Sequence, residues 1–191
     1  MTTRTRRLAH RRLRLDREST RTKRLAACKK YLRMETETIT TRIKAGEPGI
    51  KVARSRSKVI DSILTELFAH GVKVYRESHS DAEVTATLIA LGGYGRAEQA
   101  PLSDIDIMFL YTSGIKANKI RDLQQVMTDE ILFVLWDLGL MIGHSSRSVD
   151  EAFGEAKSDM QTMTSMLESR IITGDEQLFA SFSKAYRNFY L

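Results

Sequence analysis

The stretch LGGYGRAEQAPLSDIDIMFLY, residues 91–111, restricts this chain more than any other part of it. VTATLIAL (84–91) leads into it as a β-branched apolar run that reads as a strand, and DIDIMFLY (104–111) closes it as another. Side chains alternate along a strand, so Asp104 and Asp106 share one side while Ile105 and Ile107 take the other. Between the two runs there is room for a turn and a short helix closed by Pro101, but not for the long crossover helix of a dinucleotide-binding unit. The G-x-x-x-x-G-K-[ST] pattern of a P-loop is also absent.

Two carboxylates on one side of an apolar strand repel each other, and their charge is costly there without a cation. A D-x-D alone is also compatible with a strand that starts in a polar loop and leaves both aspartates solvated. Gly92, Gly93 and Gly95 sharpen the reading, because backbone N–H groups at such a turn can crowd around an anion. Arg96 adds a permanent positive charge suited to phosphate oxygens. A carboxylate pair that leaves coordination positions for water and phosphate suits Mg²⁺. The combination predicts a nucleoside triphosphate bound with Mg²⁺, attacked in line at its α-phosphorus with pyrophosphate leaving.

The rest of the chain supplies helices and one more strand. AGEPG (45–49) is a break. After it, Val52, Val59, Ile63, Leu67 and Phe68 recur at helical spacing, and Gly71 is expected to end that helix. Ile120, Leu123, Met127, Ile131, Val134 and Leu138 predict an amphipathic helix that stops at Gly139. LMIGHSSRS (140–148) reads as a third strand. SVDE (148–151) and SDMQ (158–161) each carry the capping-box pattern. The second of these helices is expected to bury Met160, Met163, Leu167 and Ile171, and TGDEQLF opens a last helix. The large apolar residues at 189–191 suggest a chain that was cut, or an end that packs on something else.

Charge matters only once it is located. The formal charge is +6 over 191 residues. Residues 1–30 hold 12 Lys/Arg against Asp16 and Glu18, whereas the remainder holds 18 basic and 22 acidic residues. The basicity therefore belongs to an N-terminal arm, which could touch nucleic acid or an acidic partner, or be a solvated, partly helical or disordered leader. No aromatic residue precedes Tyr31, so a base-stacking platform is not indicated. No apolar run approaches the roughly 18 residues of a membrane span. A single cysteine, Cys28, rules out an internal disulfide and suits a reducing, cytoplasmic setting.

GGYGRAEQAPLSDIDIMFL resembles the glycine-pair and D-x-D signature of the DNA polymerase β-like nucleotidyltransferases. It is most similar to the N-terminal catalytic domain of the bifunctional PII uridylyltransferase/uridylyl-removing enzymes. LWDLGLMIGHSSRS, DMQTMTSMLESRIITGDEQLF and RSRSKVIDSIL support the narrower resemblance, which runs over about residues 49–182. It implies an α+β fold, a small mixed sheet with flanking helices: a basic arm over 1–48, a nucleotidyltransferase core over 49–149 and a helical segment over 150–191. It also implies transfer of UMP from UTP to a tyrosine of the nitrogen-regulatory PII protein. Asp104 and Asp106 would bind Mg²⁺ and carry catalysis, Gly92 and Gly93 would hold phosphate, and Arg96 and Ser103 would support them.

The chain departs from the family at Ala97, where a glycine is usual, and at Gln99, where an apolar residue is usual. The third strand offers no acidic residue to assist a nucleophile; His144 is the alternative base there, and Asp159 and Glu168 are the nearest later acids. The His-Asp dipeptide of the uridylyl-removing domain is absent, so neither hydrolytic removal nor glutamine sensing is expected from this chain. Two other readings stay open: a degenerate domain that binds a nucleotide or partner without chemistry, and a nucleotidyltransferase that holds nucleic acid with its basic arm.

Overall fold

The computed structural model describes residues 13–16, 18–79 and 85–190. The first twelve residues of the basic arm lie outside them. Helix α1 (Arg21–Lys44) and helix α2 (Gly49–Ser78) form an antiparallel pair around the AGEPG break, where Gly46 takes a positive φ of 82°. Cys28, Tyr31 and Ile39 of α1 are buried against this pair, where a solvated leader was expected. Their three- and eight-residue spacing is helical, but the surrounding Lys and Arg hide it. Burial pushes the Cys28 thiol up to about 12, which makes it an inert core residue.

Helix α2 does not stop at Gly71. It runs on to Ser78, and a Cβ on Gly71 would stand 3.5 Å from Met127 Sδ and 3.7 Å from Glu130 Cβ, so the glycine lets the crossover helix pack close. Tyr75, one turn later, is again buried, so the apolar stripe outweighs the glycine.

Strand β1 (Ala86–Ala90), the one-turn helix α3 (Gly92–Gly95) and strand β2 (Ile105–Tyr111) follow as the alternation predicted. The next helix begins as α4 (Ala117–Met127), passes through a π-helical turn at Thr128–Leu132 and ends as α5 (Phe133–Asp137). This crossover returns the chain to β3 (Ile142–Ser148), which lies parallel to β2. Ser148 and Glu151 make the predicted capping box at the start of α6 (Val149–Ser158). Asp159, rather than Ser158, caps α7 (Met160–Leu167), accepting from Thr162 N–H at 2.8 Å.

Helix α7 stops short of Ile171. Residues Arg170–Gly174 form a fourth strand, β4, antiparallel to β1, and α8 (Glu176–Tyr190) follows. Met160 and Leu167 are correspondingly exposed, at 75% and 56%, and Met166 is the methionine of α7 that is buried. The resulting mixed sheet has the order β3-β2-β1-β4, with helices on both faces. The fold is α+β with a polymerase β-like core. Ile105, Ile107, Phe109 and Tyr111 face α2 and the crossover helix, while Met108 and Leu110 face α6, α7 and α8. No helix among the described residues is long and apolar enough to cross a membrane.

Candidate active site

The glycine turn and the carboxylates meet at one end of the sheet. β1 and β2 are antiparallel, so the end of β1 lies beside the start of β2, and Leu91 N–H donates to Asp106 C=O at 2.9 Å. Gly92 follows at once with a φ of +52°, a conformation that a glycine adopts without strain. A Cβ on Gly92 would stand 3.9 Å from Asp106 Oδ2, which places the turn directly against that carboxylate. The first amides of α3 have no intrahelical acceptor.

On its other side Asp106 pairs in register with Gly143 of β3. A Cβ on Gly143 would overlap Asp106 Oδ1, so the carboxylate lies over bare backbone. Asp106 thus stands between Gly92 of the turn after β1 and Gly143 of the neighbouring strand β3, a juxtaposition that spacing along the chain does not reveal. Asp104 and Asp106 are both exposed. Partial burial and the charge of Asp104 together hold the Asp106 carboxyl above the usual aspartate range. No group of three or more His, Cys, Asp or Glu that could hold a metal occurs among the described residues. Two carboxylates with open space around them fit Mg²⁺, which keeps waters and substrate oxygens in its shell.

Arg96 lies over the turn: a Cβ on Gly93 would sit 3.6 Å from its Nη2. Its guanidinium is half-exposed and pairs with Glu168, and Nε stands 3.7 Å from Glu98 Oε2. Glu168, which chain spacing left unplaced, therefore closes one rim of the site. Asp159 is not in it, since capping α7 occupies its side chain. His144 is not in it either. It pairs in register with Ile107, on the opposite face from Asp106, and its ring packs edge-on against Trp136 at 6.0 Å. Ser145 is the residue of β3 that follows Gly143 on the carboxylate face.

The turn is braced from below by a polar cluster that the sequence reading missed. Arg170, on β4, donates to both carboxylate oxygens of Asp61, on α2, at 3.0 Å each. The same guanidinium donates to the Gly95 carbonyl at 3.2 Å and the Tyr94 carbonyl at 3.3 Å. Tyr94 is buried, and its hydroxyl donates to Asp61 Oδ1 at 2.6 Å. Burial and the Asp61 charge push that phenol well above its usual range, so it stays a donor. At Gly95 the backbone comes so close that a Cβ would collide with the Glu168 carbonyl. The aspartate and arginine are 109 residues apart, so only the presence of an arginine and an aspartate hinted at the pair.

Gln99 plays a comparable part for the carboxylate loop. It is buried, its N–H donates to Ser57 Oγ at 3.0 Å, and its side-chain amide donates to the carbonyls of Ser103 at 2.8 Å and Asp104 at 3.1 Å. An apolar residue here would leave those carbonyls without this donor. Ser103 itself is exposed beside Asp104. Ala97 takes a φ of +59°, the left-handed conformation that a glycine would adopt without a Cβ penalty.

A small mixed four-stranded sheet flanked by helices is consistent with a polymerase β-like nucleotidyltransferase core. Comparison with known proteins narrows this. The chain is 42% identical over 141 residues to a bifunctional uridylyltransferase/uridylyl-removing enzyme of Novosphingobium aromaticivorans, a match covering 73% of this chain and 15% of that protein. The enzymes of the same name from Caulobacter vibrioides and Pseudomonas fluorescens are 36% and 34% identical over 77% and 81% of this chain. No protein-family model matches it. Over these residues the chain belongs to the uridylyltransferase/uridylyl-removing enzyme family, and it spans about 15% of the length of the relatives it matches.

Proposed function

We propose that this chain is a nucleotidyltransferase that moves UMP from UTP to a tyrosine hydroxyl of a PII-type signalling protein. The observation that carries the reading is the position of Asp106, between Gly92 of the turn and Gly143 of the neighbouring strand. The N–H groups of the turn and the Arg96 guanidinium bind the triphosphate and orient it. Asp104 and Asp106 would hold Mg²⁺, which when bound neutralises charge on the phosphate oxygens. The tyrosine oxygen then bonds to the α-phosphorus as the bond to the pyrophosphate oxygen breaks, and the phenolic proton leaves to water. The Arg170–Asp61 cluster keeps the turn rigid, so the triphosphate meets a prepared surface.

Three features support a second reading, in which the domain binds a nucleotide or partner without chemistry. Ala97 strains the turn, Glu168 already neutralises Arg96, and Ser145 stands on the carboxylate face where an acid would assist the nucleophile. One assay separates the two. The protein is mixed with Mg²⁺, a purified PII protein and each NTP labelled at the α-phosphate, beside an Asp104→Asn/Asp106→Asn double variant. The first reading expects label on PII from UTP and none with the variant. UTP binding without label on any acceptor would establish the second.

A further inference from the structure

Strand β3 ends the sheet. Among the described residues its strand neighbour is β2 alone, and the two run in unbroken register for seven residues. The outer row of its backbone groups therefore faces away from any strand. The opposite edge is different, since the β1–β4 pairing breaks register between Leu88 and Ile89. Edge strands are commonly blunted by bulges, lysines or prolines. β3, reading IGHSSRS, has none of these, and its one charge, Arg147, is tied to Glu155 of α6 at 3.2 Å.

A groove of about 410 Å³ runs along this edge, between β3 and the crossover helix. Gln124, Thr128, Ser145, Ser146 and Arg147 line it, with Leu132 among its apolar residues. Hydroxyls and an amide beside unpaired backbone groups match another polypeptide backbone. They do not match a polyanion, because Arg147, the one permanent cation in a lining that also holds His144, is already paired.

We infer that the acceptor polypeptide docks as an added strand on the open edge of β3, with Gly143 as the gap through which its hydroxyl side chain reaches Asp104 and Asp106. This rests on the transfer reading above. Strands lie about 4.8 Å apart, so an added strand stands about 10 Å from β2. The position between them on the carboxylate face is Gly143, which has no side chain to obstruct, and the Asp106 carboxylate lies over it. The Asp106 carboxylate already reaches out over Gly143, one strand spacing of about 4.8 Å from the added strand, and a tyrosine spans that gap where a serine stops short. Main-chain pairing provides affinity in such strand addition, and alternate side chains provide selection. The geometry therefore selects a phenolic acceptor in an extended segment.

Amide hydrogen exchange on the full chain tests this, with Mg²⁺ and a non-hydrolysable UTP analogue, with and without a purified PII protein. Outward amides within residues 142–148 are expected to exchange at least tenfold more slowly with PII present, and not with nucleotide alone. In steady-state transfer, Gln124→Trp, which fills the groove from its helix side, is expected to raise the apparent KM for PII tenfold or more. The KM for UTP stays unchanged. Transfer without protection of β3, and with an unaltered KM in Gln124→Trp, overturns the edge proposal and leaves the transfer reading standing. Protection without transfer keeps the docking edge and removes the transfer reading. Protection that needs no PII and grows with protein concentration assigns the edge to a second copy of this chain and overturns the proposal. Neither protection nor transfer overturns both.

Discussion

The two faces of the sheet share one strand and differ in what they do with it. Toward α2, β2 presents Ile105, Ile107, Phe109 and Tyr111, all buried from the first residue of the strand to the last. They meet Ile60, Ile63, Leu64 and Leu67 of α2, each fully buried. Toward α6, α7 and α8 the same strand begins with exposed Asp106 and turns apolar only at Met108. That face is closed by aromatic packing, with Phe153, Phe182 and Tyr186 ring centroids 5.8 to 6.1 Å apart. One face is core along its whole length, while the other is core for half of it and open at the end where the glycine turn sits. A pleated strand can therefore hold stability on one side and chemistry on the other, and substitutions on the two sides should dissociate.

The widest dissociation is expected between Asp106→Asn and Leu64→Ala. The first should lower transfer by on the order of 10³-fold, as loss of a charge-stabilising group does. It should not lower the Tm, because it removes a carboxylate that repels Asp104. Leu64→Ala should lower stability by about 2–5 kcal/mol in chemical denaturation and leave kcat per folded molecule near the parent value. A Tm loss in Asp106→Asn as large as that of Leu64→Ala would show that the carboxylate face is structural too.

Arg170→Lys probes the bracing between the faces. Lysine cannot reproduce a planar fork that reaches a carboxylate and two carbonyls, so about 1–3 kcal/mol of stability should be lost. Because the turn loosens, kcat/KM for UTP should also fall, by about tenfold. Asp61→Asn should cost a similar amount, and the double variant less than the sum, as a double-mutant cycle would show. Additivity would mean that the two residues do not act together on the turn.

Ala97→Gly should raise stability by about 0.5–1 kcal/mol, since it relieves a left-handed alanine at the expense of unfolded-chain entropy. The melting curve checks it, and an unchanged UTP affinity would separate strain at this position from triphosphate geometry.

The smallest effect concerns the far end of the sheet, where Glu151 accepts from Ser148 N–H at 2.7 Å and from the Tyr111 hydroxyl at 2.8 Å. These bonds hold its carboxyl below the usual glutamate range. A carboxyl depressed by folding stabilises above its unfolded pKa, and that contribution is lost as pH falls through the folded value. Glu151→Gln should therefore cost about 1 kcal/mol at neutral pH, as loss of a cap does, and the gap to the parent should close in acid. Denaturation at neutral and acid pH measures both.

Much of this was legible in the sequence because it depends on local rules. Alternation placed Asp104 and Asp106 together, the turn between two short apolar runs was bound to be tight, and Ser148 with Glu151 announced a helix start. These features need only neighbours within a few residues. Arg170–Gly174 escaped because RIITG carries no alternating pattern and follows a helical stripe. It is a strand because β1 leaves an open edge for it, and Gly174, with a φ of +115°, ends it against Thr87.

What the sequence determined by itself is the inventory of the candidate site: a glycine turn, a carboxylate pair and an arginine within fifteen residues of one another. What the tertiary structure decided is how that inventory is held and approached. Strand order placed Gly143 beside Asp106 and turned His144 to the opposite face. Packing of β4 on β1 brought Arg170 to Asp61 and Glu168 to Arg96. Chain-local rules set the direction of a side chain, but contacts between residues far apart in sequence depend on which elements share an edge or a face. Only burial of the two apolar layers settles that.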